Sequence, residues 1–177
     1  MKPPEIIETP RLRLRPPTLE DAETIFQSYA QDLEVVKYLA WKPHHSVSDT
    51  KIFLESILQG IPEGKKFPYI IERKTDRLLL GMFEIRLEPP QADMGYVLAK
   101  AHWGKGYMTE AVKAFVEWGL AQNGLARLWS ICDIDNPASA RVMEKAGMKR
   151  EGVLPSEISH PNLSEEPRDV YCYSIVK

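Results

Sequence analysis

The spacing of apolar residues switches from strand-like to helical and back along this chain, and those switches restrict it to a sheet interrupted by helices. "RLRLRP" alternates Leu12 and Leu14 with Arg11, Arg13 and Arg15, the period of two of a half-buried strand, and Pro16 and Pro17 end it. A helix is expected next, because Thr18 and Asp21 have capping-box spacing and Ala22, Ile25, Phe26 and Tyr29 share one face. Helical spacing continues to Gly60, through Val35, Val36 and Leu39 and then Ile52, Phe53, Ile57 and Leu58, with "WKPHHS" as the loop between. From Phe67 the period of two returns three times, in "FPYIIERK", "LLLGMFEIRLE" and "MGYVLA", separated by turns at Thr75, Asp76 and Arg77 and at "PPQAD". A helix with Ala111, Ala114, Phe115 and Trp118 on one face follows, with Asn123 and Gly124 as its expected stop. Next come a strand, "RLWSICDI", and a short helix, "DNPASARVMEKAG", with Asn136 as N-cap, Pro137 in its first position and Gly147 at its end. The strands "KREGVL" and "DVYCYSIVK" close the series around a polar loop. The order is β-α-α-β-β-β-α-β-α-β-β, a mixed α/β sheet in one domain over residues 1–177 without internal repeats.

Charge and cysteine content narrow the function. The 23 Lys and Arg against 25 Asp and Glu leave a formal charge of -2, without the broad positive field that nucleic-acid binding needs. No stretch has the length of a membrane span and the opening residues lack an apolar leader, so a cytoplasmic location is expected, with no membrane partner. Cys132 and Cys172 fit reduced thiols better than a disulfide framework, and neither they nor His44, His45, His102 and His160 have metal-ligand spacing; no metal is expected.

Two short motifs carry chemistry. In "WGKGYMTEAV", Gly104 and Gly106 let the backbone approach an anion closely, and the helix that follows opens with unpaired N–H groups and the positive end of its dipole. A P-loop would need Ser or Thr directly after Lys105, where Gly106 stands, and a dinucleotide fingerprint would need a small residue at Thr109. Both are excluded. The second motif, "NPASARVMEKAGM", places Ser139 one turn inside a helix capped by Asn136.

Together the two motifs resemble those of the GCN5-related N-acetyltransferases. The family's acetyl-CoA loop, Gln/Arg-x-x-Gly-x-Gly/Ala, is met here by Trp103, Gly106 and Met108, and its Asn-x-x-Ser/Ala-x7-Gly-Phe segment by Asn136, Ser139, Gly147 and Met148. With "ETPRLRLRP" at one end and "DVYCYSIVK" at the other, the chain looks like the branch of the ribosomal-protein N-terminal acetyltransferases RimJ and RimL. The resemblance implies a mostly antiparallel, twisted sheet of six to seven strands flanked by about four helices and splayed at the cofactor site. It implies direct transfer of an acetyl group from acetyl-CoA to a primary amine in a ternary complex, by a monomer or homodimer. A protein N-terminal α-amine is the expected acceptor. A small-molecule amine, or a CoA-binding module without activity, is the alternative.

The resemblance also implies roles for residues. Val97, Leu98 and Ala99 would offer backbone groups to the pantetheine arm and the oxyanion, and Trp103, Gly104, Lys105, Gly106, Tyr107, Met108 and Thr109 would hold the pyrophosphate. Asn136 and Ser139 would contact the cofactor, with Ser139 also able to protonate the departing thiolate. Glu84, in "GMFEIRL", is the candidate general base; the competing reading is a glutamate paired with Arg86. Met143 stands where many relatives carry a tyrosine acid, so the acid must come from elsewhere. His160 and Glu157 fall in the polar loop that borders the acceptor entrance in the family.

Overall fold

The computed structural model describes residues 1–177, apart from the side chain of Pro62. Among the described residues, eight strands form one sheet: β1 (Ile7–Glu8), β2 (Leu12–Arg15), β3 (Lys66–Arg73), β4 (Leu79–Glu88), β5 (Gln91–Leu98), β6 (Arg127–Asp133), β7 (Lys149–Ile158) and β8 (Arg168–Val176). Their spatial order is β1-β2-β3-β4-β5-β6-β8-β7. Every neighbouring pair is antiparallel except β5 with β6.

Five α-helices among the described residues accompany the sheet: α1 (Ala22–Ile25), α2 (Leu33–Val36), α3 (Val47–Gly60), α4 (Tyr107–Ala121) and α5 (Pro137–Lys145). The expectation of six to seven strands and about four helices is therefore corrected upward. The extra strand, β1, is too short to show a period, and the extra helix arises because Asp32 caps α2 separately, its carboxylate accepting the Glu34 N–H at 2.9 Å. α1 runs on through a π-helical turn at Phe26–Ala30.

Two apolar layers hold the elements. On one face, Phe83 and Ile85 of β4 pack with Ala111, Val112 and Phe115 of α4 and with Met143 of α5. On the other, Ile70 and Met82 pack with Ile25 and Tyr29 of the first helical segment and Leu54 of α3. α3 docks by Thr50 and Leu54, one turn apart, with Phe53 and Ile57 of the expected cluster packed beside them, whereas Ile52 is 65% exposed and lies off the contact line.

Three boundaries also differ. α4 stops at Ala121 with Gln122 as an extended cap, so Asn123 and Gly124 belong to the following turn. β5 begins at Gln91, because the turn is confined to Pro89–Pro90, joined by a cis peptide, and Ala92 and Met94 are buried in strand alternation. β7 runs on to Ile158, taking the first part of the polar loop into the sheet.

Candidate active site

The one parallel junction among the described residues makes the site. β5 and β6 pair only over Gln91–Asp93 with Arg127–Trp129, and the Ser130 hydroxyl then donates to the Met94 carbonyl at 2.9 Å. Beyond that bond Gly95 to Leu98 run on without a partner on the β6 side, and a cavity of about 730 Å3 opens there. Its walls come from β5, β6, the loop before α4, α5, the segment after α2 and the loop after β7.

The glycine loop forms one end. Gly104 and Gly106 have φ of 71° and 77°, a region that disfavours residues with a Cβ, and both line the cavity. Gly106 is the N-cap of α4 and has no capping side chain, which leaves the first N–H groups of the helix for another acceptor. The start of α4 is pinned instead through Glu110, which accepts from the Thr9 hydroxyl at 2.6 Å, the Arg11 N–H at 2.8 Å and Arg11 Nε at 2.6 Å. Arg11 also donates to the Lys105 carbonyl at 3.0 Å and lies over the Tyr107 ring at 4.6 Å. Burial pushes the Glu110 carboxyl up, but these hydrogen bonds and the Arg11 charge outweigh it and hold it below the usual range. Nothing in the sequence motif reveals this tie to residues a hundred positions earlier.

Most of the residues named from sequence share this cavity. Val97, Leu98, Trp103, Gly104, Gly106, Tyr107, Met108, Thr109, Asn136 and Ser139 line it. Ala99 and Lys105 do not: the Ala99 N–H donates to Leu80 O at 2.8 Å and its side chain is buried, while Lys105 Nζ turns back to the Ala101 carbonyl at 2.7 Å. The Leu98 carbonyl is already taken by the Trp103 indole N–H at 2.7 Å. Asn136 caps α5 by accepting the Ser139 N–H at 3.2 Å. Glu84 is off the cavity wall, paired with Arg86 at 3.3 Å; Arg86 itself is held by Asp93 at 2.6 Å and does line the cavity, beside Gly95. Met143 is fully buried in the core.

Opposite Ser139 stands a residue that sequence reading missed. The Tyr96 hydroxyl is 2.7 Å from Ser139 Oγ, and its ring stacks on Phe83 with centroids 6.3 Å apart. Burial raises the Tyr96 hydroxyl above its ordinary pKa, with the Ser139 bond pulling the other way. Cys132 lines the same wall, and burial pushes its thiol up to about 11, which makes it a poor nucleophile.

The far end is built around Asp133, at the end of β6. Arg168 grips it through Nε at 2.6 Å and Nη2 at 3.0 Å, and holds Asp135 at 2.6 Å. Burial pushes Asp133 up, but Arg168, the Asp135 N–H and the His160 charge prevail and keep it below the usual range. His160, 6% exposed, lines the cavity with Nε2 3.4 Å from Asp133 Oδ2. Two ties close this end: the Tyr38 hydroxyl donates to Asp135 O at 2.7 Å, and Asn162 donates to Val36 O and Trp41 O, each at 2.8 Å. Glu157, by contrast, is exposed. Asp133, His160 and Arg168 come together from β6, the loop and β8, and no linear spacing signals the meeting.

Comparison with known proteins agrees with the geometry. Residues 11–149 match the family described as acetyltransferase (GNAT) domain. The chain is 31% identical over 175 residues to an uncharacterized N-acetyltransferase, YoaA, of Bacillus subtilis, covering 97% of both chains. It is 36% identical over 84 residues to the ribosomal-protein-serine acetyltransferase of Escherichia coli, covering 46% of each. Among solved structures, a GNAT-family acetyltransferase of Bacillus anthracis superimposes with a TM-score of 0.81 at 28% identity, covering 97% of this chain and 98% of that one.

Proposed function

This chain belongs to the acetyltransferase (GNAT) family, and from that premise we propose that the amine it acetylates is the α-amino group of a protein or peptide. It is an acetyl-CoA-dependent N-acetyltransferase. The residues fit that co-substrate. The Cβ position of Gly104 has nothing within 4 Å, the N-terminus of α4 has no side-chain cap, and Arg141 and Lys145, one turn apart on α5, add positive charge to the cavity wall.

Acetyl-CoA supplies an acetyl group activated as a thioester. The loop from Trp103 to Thr109 and the first turn of α4 would hold its phosphates, and the unpaired edge of β5 from Gly95 to Leu98 would orient the chain that carries the thioester. Ser139, hydrogen-bonded to Tyr96, is the proposed proton donor to the departing sulfur, in place of the tyrosine that Met143 displaces. Asn136 fixes Ser139 by capping α5.

The observation that carries this reading is the continuity of one cavity from the glycine loop to the Tyr38 and His160 end, so that two substrates meet at the β5–β6 opening. The α-amine is favoured over lysine because its reference pKa, about 7.7–8.0 against about 10.4, leaves far more of it neutral at pH 7. The partial match to a ribosomal-protein-serine acetyltransferase points the same way. The same reading places the enzyme in the cytoplasm, where acetyl-CoA meets newly made protein N-termini.

A thiol-release assay across peptides with free N-termini, including serine, the same peptides with blocked N-termini, polyamines and aminoglycosides tests the proposal. Release with free and not with blocked peptides is expected. Turnover of polyamines or aminoglycosides alone would move the enzyme to small amines, and acetyl-CoA binding without turnover of any amine would leave a CoA-binding module.

A further inference from the structure

His160 is a buried histidine whose two ring nitrogens, both shielded from solvent, find no well-aligned hydrogen-bond partner among the described residues. Leaving such a group unsatisfied is costly, so its place in a fold asks for a use. It is not an isolated core residue. The ring forms part of the cavity wall at the end away from the glycine loop, with Asp133 Oδ2 3.4 Å from Nε2. The Asp133 side chain is fully buried and clamped by Arg168, so it cannot turn away.

We propose that His160 is the general base that takes the proton from the acceptor's ammonium group, with Asp133 as the positioning residue that orients the ring and stabilises its charged form. The inference rests on the amine-acetylation reading above. A carboxylate beside Nε2 favours the tautomer with its hydrogen there, leaving Nδ1 with the lone pair. With a turn of the ring that brings Nδ1, covered in this structure, to the cavity, an N–H bond of the acceptor breaks and an Nδ1–H bond forms, directly or through one water, which frees the electron pair on the acceptor nitrogen. That pair forms the bond to the acetyl carbon as the carbon–sulfur bond breaks. Of the two protons the nitrogen loses, the first leaves through His160 to solvent, and the second balances the proton gained by the sulfur.

The surroundings suit a base that cycles. From β6 Asp133 faces the ring, from β8 Arg168 does so through its bond to Asp133, and from the segment after α2 the Tyr38 ring meets it edge-on at 6.2 Å, with Lys37 stacked on that tyrosine at 5.1 Å. Burial lowers the pKa of His160 first of all; the Asp133 charge and the Leu39 backbone favour its protonated form, while the Arg168 charge opposes it. The net lowering keeps the imidazole neutral, and so ready to accept a proton, at pH 7.

The test measures kcat/KM against pH for wild type and His160→Gln with a free-N-terminus peptide, alongside acetyl-CoA affinity by calorimetry and Tm. The expected loss is about 100-fold at pH 6.5 to 7, at unchanged acetyl-CoA affinity. The gap should shrink as pH rises past the α-amine's own pKa of about 8, where the acceptor no longer needs a base. Imidazole added to His160→Ala should restore part of the rate at pH 7. A merely structural role would lower the rate equally at every pH and give no rescue, and either that pattern or a wild-type rate in His160→Gln would overturn the proposal. If His160→Gln fails to fold, rescue of His160→Ala decides alone. Wild-type enzyme that acetylates no amine would overturn the acceptor reading and this base with it; wild-type activity with an indifferent His160 would overturn the base only.

Discussion

At the scale of single residues, the chemistry divides into what spacing reveals and what only the fold brings together. Asn136 and Ser139 were legible because a cap and its first turn are local. Tyr96 was not, because alternation in β5 says which residues share a face but not what stands opposite, and its partner Ser139 lies 43 residues on. If Ser139 and Tyr96 share one proton path, Ser139→Ala and Tyr96→Phe should each lower kcat about 10-fold and the double variant hardly more; losses that multiply in steady-state kinetics would separate them. Glu84 reaches the cavity only through Arg86, so Glu84→Gln is expected to raise KM more than it lowers kcat. A fall in kcat at constant KM would give Glu84 the base's role in place of His160.

At the scale of elements, backbone clearance matters more than side-chain chemistry. A Cβ built on Gly81 of β4 would stand 2.1 Å from the Val97 carbonyl oxygen of β5, where the cavity opens. Gly81→Ala must therefore displace the splayed strand, and a loss near the upper end of the about 1–3 kcal/mol that over-packing costs is expected, read by denaturant unfolding. In the sequence this glycine was only a letter inside an apolar run. Gly106→Val acts differently, since its Cβ would meet only Arg11 Nη2, at 3.5 Å, while the β-branched side chain opposes φ of 77°. Acetyl-CoA affinity by calorimetry should fall at least 10-fold; unchanged affinity would remove this loop from the cofactor site. The helical face of α3 is legible only in part: Phe53 and Ile57 pack on the core as their spacing suggests, but with Ile52 and Leu58 apolar too, period alone could not place the contact line on Thr50 and Leu54.

For the whole molecule, protonation sets the acid limit of stability. Asp21, Glu110 and Asp133 are each pushed up by burial but held below their ordinary values by bonds and charges from Arg15, from Thr9 and Arg11, and from Arg168. A carboxylate depressed in the fold stabilises it above the unfolded-state pKa, about 3.9 to 4.3, and that contribution is lost as pH falls through the folded value. His44 and His160, lowered mainly by burial, act in the same direction from about pH 6.5 downward, because the unfolded chain binds their protons first. Tm should therefore decline gently below pH 6.5 and steeply below about 4. Glu110→Gln should melt lower at pH 7, with the gap to wild type closing below pH 4; a constant gap would mean that ionisation of Glu110 is irrelevant to folding.

The placement of β8 between β6 and β7 has a consequence for synthesis. Arg168, which clamps Asp133, is the first residue of β8, and β7 pairs with no other strand. While a ribosome is still making residues 168–176, the strand that ends in Asp133 has an open edge and β7 has nothing to join. The end proposed for the cofactor, whose lining reaches only to Lys145, has its parts in hand earlier. On the function proposed above, the nascent chain would gain the parts of its acetyl-donor pocket before the wall assigned to the amine, which waits for β8 to enter the sheet between β6 and β7.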